Sequence, residues 1–480
     1  MKKYFLACIL LTLLSKGIYA QDTWDLRRCV DYAIANGISV KQADVQARIA
    51  ALNTLQAKAW AYPTLSFSSQ GGYNLGRSVD PTTNQYTTSD VLFQNYGASS
   101  SVKIFNFYSV KNNLKSIAAL EEASKIFIDA TRSTISLSVA NYYLNYLLSL
   151  ETANSAKLKV DLTRSQLDNT RKLVDAGSMP ELNAAQLEAQ LATDSSSYIS
   201  AKATADQNKI NLMGSLSLDM ATNFEVSIPD VDKIPLEPIA ELQPADVYQA
   251  ALASYPTQKF DSINIVSQEF RVKADRALMY PTLSAYAQLG TNYASIFNNY
   301  SQSTLPTGKY DTIAVVPVNG SNYYALSPGF NTTVKTTKIP YFDQVLTNNF
   351  TQSFGISLNI PIASNRQLKT SYQQAKLTLE NYRLTLKQDN ITLQSNIYLA
   401  YSSAVSSLES YNAAVKAYET QKYAYDLAKK RYDLGVLSTI DLILTENNLF
   451  TAQVTELSDR YNYVFRMKIL EFYKGQGVKL

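Results

Sequence analysis

The side chains best placed to do chemistry gather around two glycines. Asp433, Asp441 and Glu446 bracket Gly435, and Glu181 and Glu188 follow Gly177. Carboxylates beside a tight turn have two uses. One is local: a carboxylate three residues after a Ser completes a capping box at a helix start, and Ser178-Met179-Pro180-Glu181 and Ser438-Thr439-Ile440-Asp441 both have that spacing. The other needs symmetry: copies of Asp433, Asp441 or Glu446 arranged around an axis form acidic rings that favour cations and constrict flow. The two uses are compatible, because a capping carboxylate can still face a lumen. Lys429, Lys430 and Arg431 lie close enough in sequence to pair with them, although most exposed charges of this kind only solvate a face.

Composition removes other chemistries. The 480 residues include no His, so His-based triads and zinc sites are excluded. Two Cys cannot build a four-thiolate site. No strand–Gly-rich loop–Lys pattern cradles a phosphate, and a formal charge of +4 is no basic footprint for nucleic acid. No catalytic residue, metal ligand or cofactor is expected. A surplus of 34 Tyr calls for a reason.

The elements that must position the turns start with a leader. Lys2 and Lys3 precede an apolar run, Tyr4 to Leu14, and Ala20 closes the segment. This reads as a signal peptide, 1–20, too short to span a bilayer. Its removal takes Cys8 away and leaves Cys29 alone, with no disulfide to form. No later stretch is long and apolar enough for a transmembrane helix.

The rest reads as two copies of one pattern. Tyr62-Pro63-Thr64-Leu65-Ser66 recurs 218 residues later as Tyr280-Pro281-Thr282-Leu283-Ser284. Gly177 with Asn183 and Glu188 matches Gly435 with Asp441 and Glu446, and Leu114-Lys115-Ser116 is set against Leu368-Lys369-Thr370. The expected organisation is a first repeat at 21–216, a Pro-containing linker at 217–245, and a second repeat at 246–480. Each repeat runs short helix, longer helix, strand, loop, strand, very long helix, Gly turn and long helix.

Four segments alternate with period 2, at about 63–76, 92–107, 281–293 and 350–362. Leu65, Phe67 and Tyr73, or Phe354, Ile356 and Leu358, alternate with small and polar residues. That pattern suits membrane-barrel strands or half-buried soluble ones. Scarce charge in these regions, with Tyr-rich loops, favours lipid. Residues 294–349 read as a long loop. Four strands cannot close a barrel, and open edges are not tolerated in hydrocarbon, so copies must share one.

The helical pattern from about Ser109 to Val174 exceeds 60 residues, about 95 Å of helix, and the pattern from Gln367 to Leu434 is similar. Leu377, Leu384, Ile391 and Tyr398 form one heptad stripe, and Tyr372, Leu379, Leu386 and Leu393 another on the opposite side. A helix apolar on two sides belongs in a layer. The last helix carries a seam from Ile440 to Val464, with Asn447 as a register-setting polar residue.

In this order, and twice over, these features resemble the TolC-like outer-membrane efflux proteins. The resemblance covers essentially the whole mature chain. It implies an α+β membrane protein in two pseudo-symmetric halves. Long antiparallel coiled-coil helices would form an α-barrel, and four transmembrane β-strands per chain would complete a trimeric 12-stranded β-barrel. It further implies a homotrimer in the outer membrane, extending into the periplasm. This would serve as the exit duct of a tripartite efflux or type I secretion system, docked on a periplasmic adaptor protein and an inner-membrane pump. By that likeness Tyr432, Asp433, Asp441 and Glu446 belong to the periplasmic entrance. Gly177, Ser178, Gly435 and Ser438 belong to the hairpin turns that contact the adaptor. Leu444 stands where such proteins place a second aspartate and Leu437 where they place an arginine latch, so the family's double acidic ring and ionic latch do not carry over residue by residue; closure by ionic contacts and closure by hydrophobic ones both stay open. The rival reading is an exported coiled-coil surface protein without a pore.

Overall fold

The structure is a computed structural model that describes residues 23–79, 84–88 and 90–475. The expected signal peptide lies outside the described residues. The chain divides into two units: a helical unit with the described residues of 1–54, 115–270 and 375–480, and a strand unit of 55–114 and 271–374.

Among the described residues, eight helices follow the duplicated order. Helices α1 (Leu26–Asn36), α2 (Ile38–Ala59), α3 (Ser109–Asp175) and α4 (Glu181–Ser215) have 11, 22, 67 and 35 residues. Helices α5 (Pro244–Ser254), α6 (Pro256–Ala277), α7 (Gln367–Asp433) and α8 (Thr439–Tyr473) repeat those lengths: 11, 22, 67 and 35 residues. The match corrects one expected correspondence. Equal long helices place Ser109 against Gln367, so pairing Leu114 with Leu368 is one helical turn out of register. A heptad-patterned helix looks much like itself four residues on, which is how the slip arises.

The break between the paired short helices is made differently in each half. Gly37 donates to Ala33 O at 2.7 Å, and a Cβ there would lie 2.4 Å from that oxygen. In the second half Pro256 begins α6, where its missing N–H costs nothing.

Among the described residues, two large apolar cores and a small one of Leu167, Ala184 and Leu187 hold the helical unit. Trp24, Leu26, Cys29 and Ala33 pack on Val139, Tyr143 and Leu147 of α3, with Leu212 of α4 and Phe465 of α8. Leu242, Val247 and Ala251 pack on Leu393 and Ile397 of α7, with Met467 and Leu470 of α8. The segment between the halves is part of this packing: Phe224, Val226 and Val231 join the first core and Leu242 the second. Tyr143 donates its hydroxyl to Ser227 O at 2.7 Å. Burial pushes the Cys29 thiol up to about 12, so it is an unreactive apolar filler.

In the strand unit, β1 (Thr64–Asn74), β4 (Val91–Phe105), β5 (Thr282–Ala294) and β8 (Thr351–Asn359) form one antiparallel sheet in the order β1-β4-β5-β8. The register sorts the faces. Leu65, Ser100, Ala287 and Phe354 lie in one row, and Phe67, Ala98 and Leu289 in the next. The other face carries Ser66, Ser99, Gln288 and Ser353, and Ser66 and Ser99 share a 2.7 Å hydroxyl hydrogen bond. Phe354 is 86% exposed and Leu65 82%, so the apolar face is open, and the polar residues Ser66, Ser99, Gln288 and Ser353 are exposed as well. Small residues on the polar face leave room for large neighbours: a Cβ at Gly355 would come 2.9 Å from the Tyr286 hydroxyl.

A small hairpin, β2 (Arg77–Val79) with β3 (Tyr86–Thr88), separates β1 from β4. The stretch expected to be a loop at 294–349 is largely a second hairpin, β6 (Asn298–Val318) paired with β7 (Ser321–Lys338). Asn319 (φ 49°) and Gly320 (φ 83°) form its two-residue turn, a conformation that Asn-Gly adopts readily. Both faces of this ribbon are largely exposed and both carry apolar side chains, Val315 and Tyr324 on one and Val316 and Tyr323 on the other, so no one-sided apolar alternation announces it. Its base is fixed by Gln344, fully buried, which accepts from Ala294 N at 3.0 Å and donates to Ile339 O at 2.9 Å.

Candidate functional site: the helical hairpin ends

Both long helices end on a glycine in the left-handed region, Gly177 (φ 70°) and Gly435 (φ 72°). Gly177 N donates to Val174 O and Ser178 N to Leu173 O, both at 2.8 Å. Gly435 N donates to Tyr432 O at 2.8 Å and Val436 N to Arg431 O at 3.0 Å. These paired bonds satisfy carbonyls that a helix end leaves orphaned. A Cβ at either glycine would meet nothing within 4 Å, so the positive φ, not lack of space, requires glycine.

The returning helices start differently. Ser438 caps α8: its Oγ accepts from Asp441 N at 3.1 Å and donates to the Asp441 carboxylate at 2.6 Å. The expected counterpart at Ser178 does not form. The residue capping α4 is Pro180, with no side-chain cap bond. Met179 precedes a proline and is steered away from helical angles, so the helix cannot begin before Pro180.

Asp433 and Asp441 are exposed, as are Gly177, Ser178, Gly435 and Ser438. Tyr432 is half-buried, its hydroxyl 3.3 Å from Thr170 Oγ1. Glu446 differs from the expectation of an open acidic ring. It is 6% exposed, on the same face of α8 as Leu442, and accepts from Gln166 Nε2 at 2.8 Å. Burial raises its carboxyl above the usual range, partly offset by the Gln166 hydrogen bond and by Lys159.

Beside Glu446 is a polar cluster between α3, α4 and α8. Lys159 Nζ lies 2.9 Å from Asp194 Oδ1 and also donates to Asn447 Oδ1. Asp194 further accepts from Thr163 Oγ1 and Gln190 Nε2, each at 2.8 Å. Asn447 was legible as a polar break in a seam. Lys159 and Asp194 were not singled out, yet a signal existed: Lys159 interrupts the buried line Ala153, Ala156, Val160 and Thr163. A cleft of about 120 Å³ lined by Lys159, Tyr425, Glu446 and Phe450 adjoins the cluster. That is too small for a drug-sized ligand, and the cluster serves helix registration. Among the described residues, no group of three or more His, Cys, Asp or Glu could hold a metal ion.

Burial makes the Glu446 carboxyl harder to ionise in the folded protein. The folded protein holds this proton more tightly than the unfolded chain does. The contribution to stability is therefore complete below the ordinary value of 4.5 and disappears as pH rises through the raised folded value. Thermal unfolding across that window should show a fall in stability with rising pH that Glu446→Gln flattens.

The comparisons agree with one another. A family model described as outer membrane efflux protein matches residues 30–217 and 326–473. No curated protein matches the chain by sequence. Among solved structures, CusC, studied for its folding and transmembrane channel formation, superposes with a TM-score of 0.73 at 14% identity over 94% of this chain and 92% of that one. The Campylobacter jejuni outer membrane channel CmeC gives 0.73 at 18% identity over 95% and 86%. The open state of the Neisseria gonorrhoeae outer membrane channel MtrE gives 0.69 at 17% identity over 95% and 89%. With the family model covering most of its length and the fold shared with these channels, the chain belongs to the outer membrane efflux protein family: an outer-membrane transport protein and not an enzyme.

Proposed function

We propose that the chain is one third of a homotrimeric exit duct that passes solutes passively across the outer membrane as part of a tripartite efflux or type I secretion assembly. The observation that carries this reading is the open sheet. Its apolar face suits lipid, but among the described residues β1 and β8 are edges without a neighbouring strand. Unpaired N–H and C=O groups are not tolerated in hydrocarbon. Strand direction alternates across β1-β4-β5-β8, so β8 of one copy meets β1 of the next antiparallel. That contact is head-to-tail and closes into a ring; three copies give twelve strands. The helical unit supports the same need for neighbours, since Leu377, Leu384, Ile391 and Tyr398 form an exposed apolar line on α7.

In this arrangement Tyr432, Asp433 and Asp441 stand at the periplasmic entrance, with the two aspartates repeated around the axis. Glu446 acts through helix packing. The exposed turns at Gly177, Ser178, Gly435 and Ser438 meet a periplasmic adaptor protein, which couples the duct to an inner-membrane pump. Energy comes from those partners. Native mass spectrometry in detergent should give a trimer, and planar bilayers should show cation-preferring conductance that Asp441→Asn weakens. A verified trimer with no conductance, or a monomer that stays soluble without detergent, contradicts the duct. Unchanged selectivity in the variant removes Asp441 from the entrance.

A further inference from the structure

The buried face of α6 is where the second half departs from the first. In α2, positions 40 and 43 are the buried apolar residues Val40 and Ala43. At the equivalent positions of α6, 218 residues on, stand Gln258 and Asp261, each only 5% exposed. Both meet Asp389 of α7. Gln258 Nε2 donates to Asp389 O at 3.4 Å, and the Asp261 and Asp389 carboxyls are within hydrogen-bonding reach of each other. The residue of α3 equivalent to Asp389 is the uncharged Thr131. The fold itself therefore accepts apolar and neutral side chains at these positions, and packing does not demand the carboxylates.

The oxygens gathered here lack donors. Gln258 Oε1 and Asp261 Oδ2 are both buried and have no hydrogen-bond partner. Burial first, and Asp389 second, push the Asp261 carboxyl up to about 7, and no basic side chain is among the causes acting on it. Buried acceptors without partners are costly. One proton shared between two carboxyls would satisfy the pair and leave the Gln258 amide oxygen unserved. A cation can satisfy several oxygens at once.

We infer that Gln258, Asp261 and Asp389 form a binding site for a hard divalent cation of the calcium class, which ties α6 to α7. The donor set is all oxygen and mixes carboxylate with amide, which excludes soft metals. Calcium accepts about six to eight oxygens in flexible geometry, whereas magnesium demands a regular octahedron and sheds water reluctantly. Asp389 is only half-buried, so water can reach the site and complete the shell. This site does not depend on the duct reading.

The test uses full-length protein in detergent, stripped with a chelator. Equilibrium dialysis with radioactive calcium should give about one ion per chain, and millimolar calcium chloride should raise Tm by about 2 °C or more, with a smaller rise from magnesium. Asp261→Asn and Asp389→Asn should lose both responses. The double variant Gln258→Val/Asp261→Ala copies the first half; it should fold and ignore calcium, which separates loss of the site from loss of structure. Absence of calcium binding by the wild type overturns the inference. So does unaltered binding by Asp261→Asn, or a Tm that shifts with pH near 7 but not with calcium, the mark of a shared proton.

Discussion

Replacing Lys159 by Met is expected to destabilise the helical unit by about 3–5 kcal/mol. Asp194, 2% exposed, is then left with Thr163 and Gln190 as donors but no cation. The attraction lost is that of a 2.9 Å pair shielded from water, and Asn447 loses its donor in the same step. Lys159 also lies 5.0 Å from the Phe450 ring centroid, a contact that Met retains as apolar packing. The measurement is thermal unfolding followed by far-UV circular dichroism, with hydrogen exchange locating the loss to α3, α4 and α8. Removing the partner as well, in Lys159→Met/Asp194→Leu, should restore most of the stability, because the uncompensated charge is gone. A single variant as stable as wild type would mean that water already reaches Asp194.

Ile356→Arg should cost about 2–4 kcal/mol of insertion stability if the apolar face meets the bilayer midplane. Ile356 lies in a row with Ala285 and Val102, on the face opposite Ser353 and Gln288. Ser353→Arg on the polar face is the matched control: it should insert normally and alter conductance instead. Folding into lipid vesicles, read by the gel mobility of heated and unheated samples, compares the two. Equal tolerance of both substitutions would show that the sheet has no lipid face. The face assignment comes from register, so this pair also tests whether pairing in the membrane keeps the register described here.

The two predictions draw on different layers of information. The alternation behind Ile356 is written in the chain, because strand side chains must point alternately up and down and lipid tolerates apolar groups on one side. The Lys159–Asp194 pair is not written there. Many charges punctuate α3, and only the approach of α4 and α8 decides which one is shut away. Glu446 shows the same limit in reverse: near a turn it reads as an open carboxylate, yet its place on the Leu442 face buries it. The Asp261–Asp389 pair, 128 positions apart in the chain, belongs to the same class.

Local rules failed where a neighbour overruled them. Ser178 and Glu181 have capping-box spacing, but Pro180 moves the helix start beyond it. The β6–β7 ribbon carries an Asn-Gly turn in plain view, but apolar and polar residues mixed on both of its faces hide the strands on either side.

By itself the sequence determined the duplicated order, the very long helices, the glycine turns and the four strands of alternating polarity. Each of these follows from a period or a backbone preference confined to a few neighbouring residues. Only the tertiary structure decided the register between the halves, the burial of Lys159, Asp194, Glu446 and Asp261, and the two bare edges of the sheet. Those depend on which surfaces distant segments bring together, and dielectric and hydrogen-bond supply are properties of that meeting rather than of any one residue.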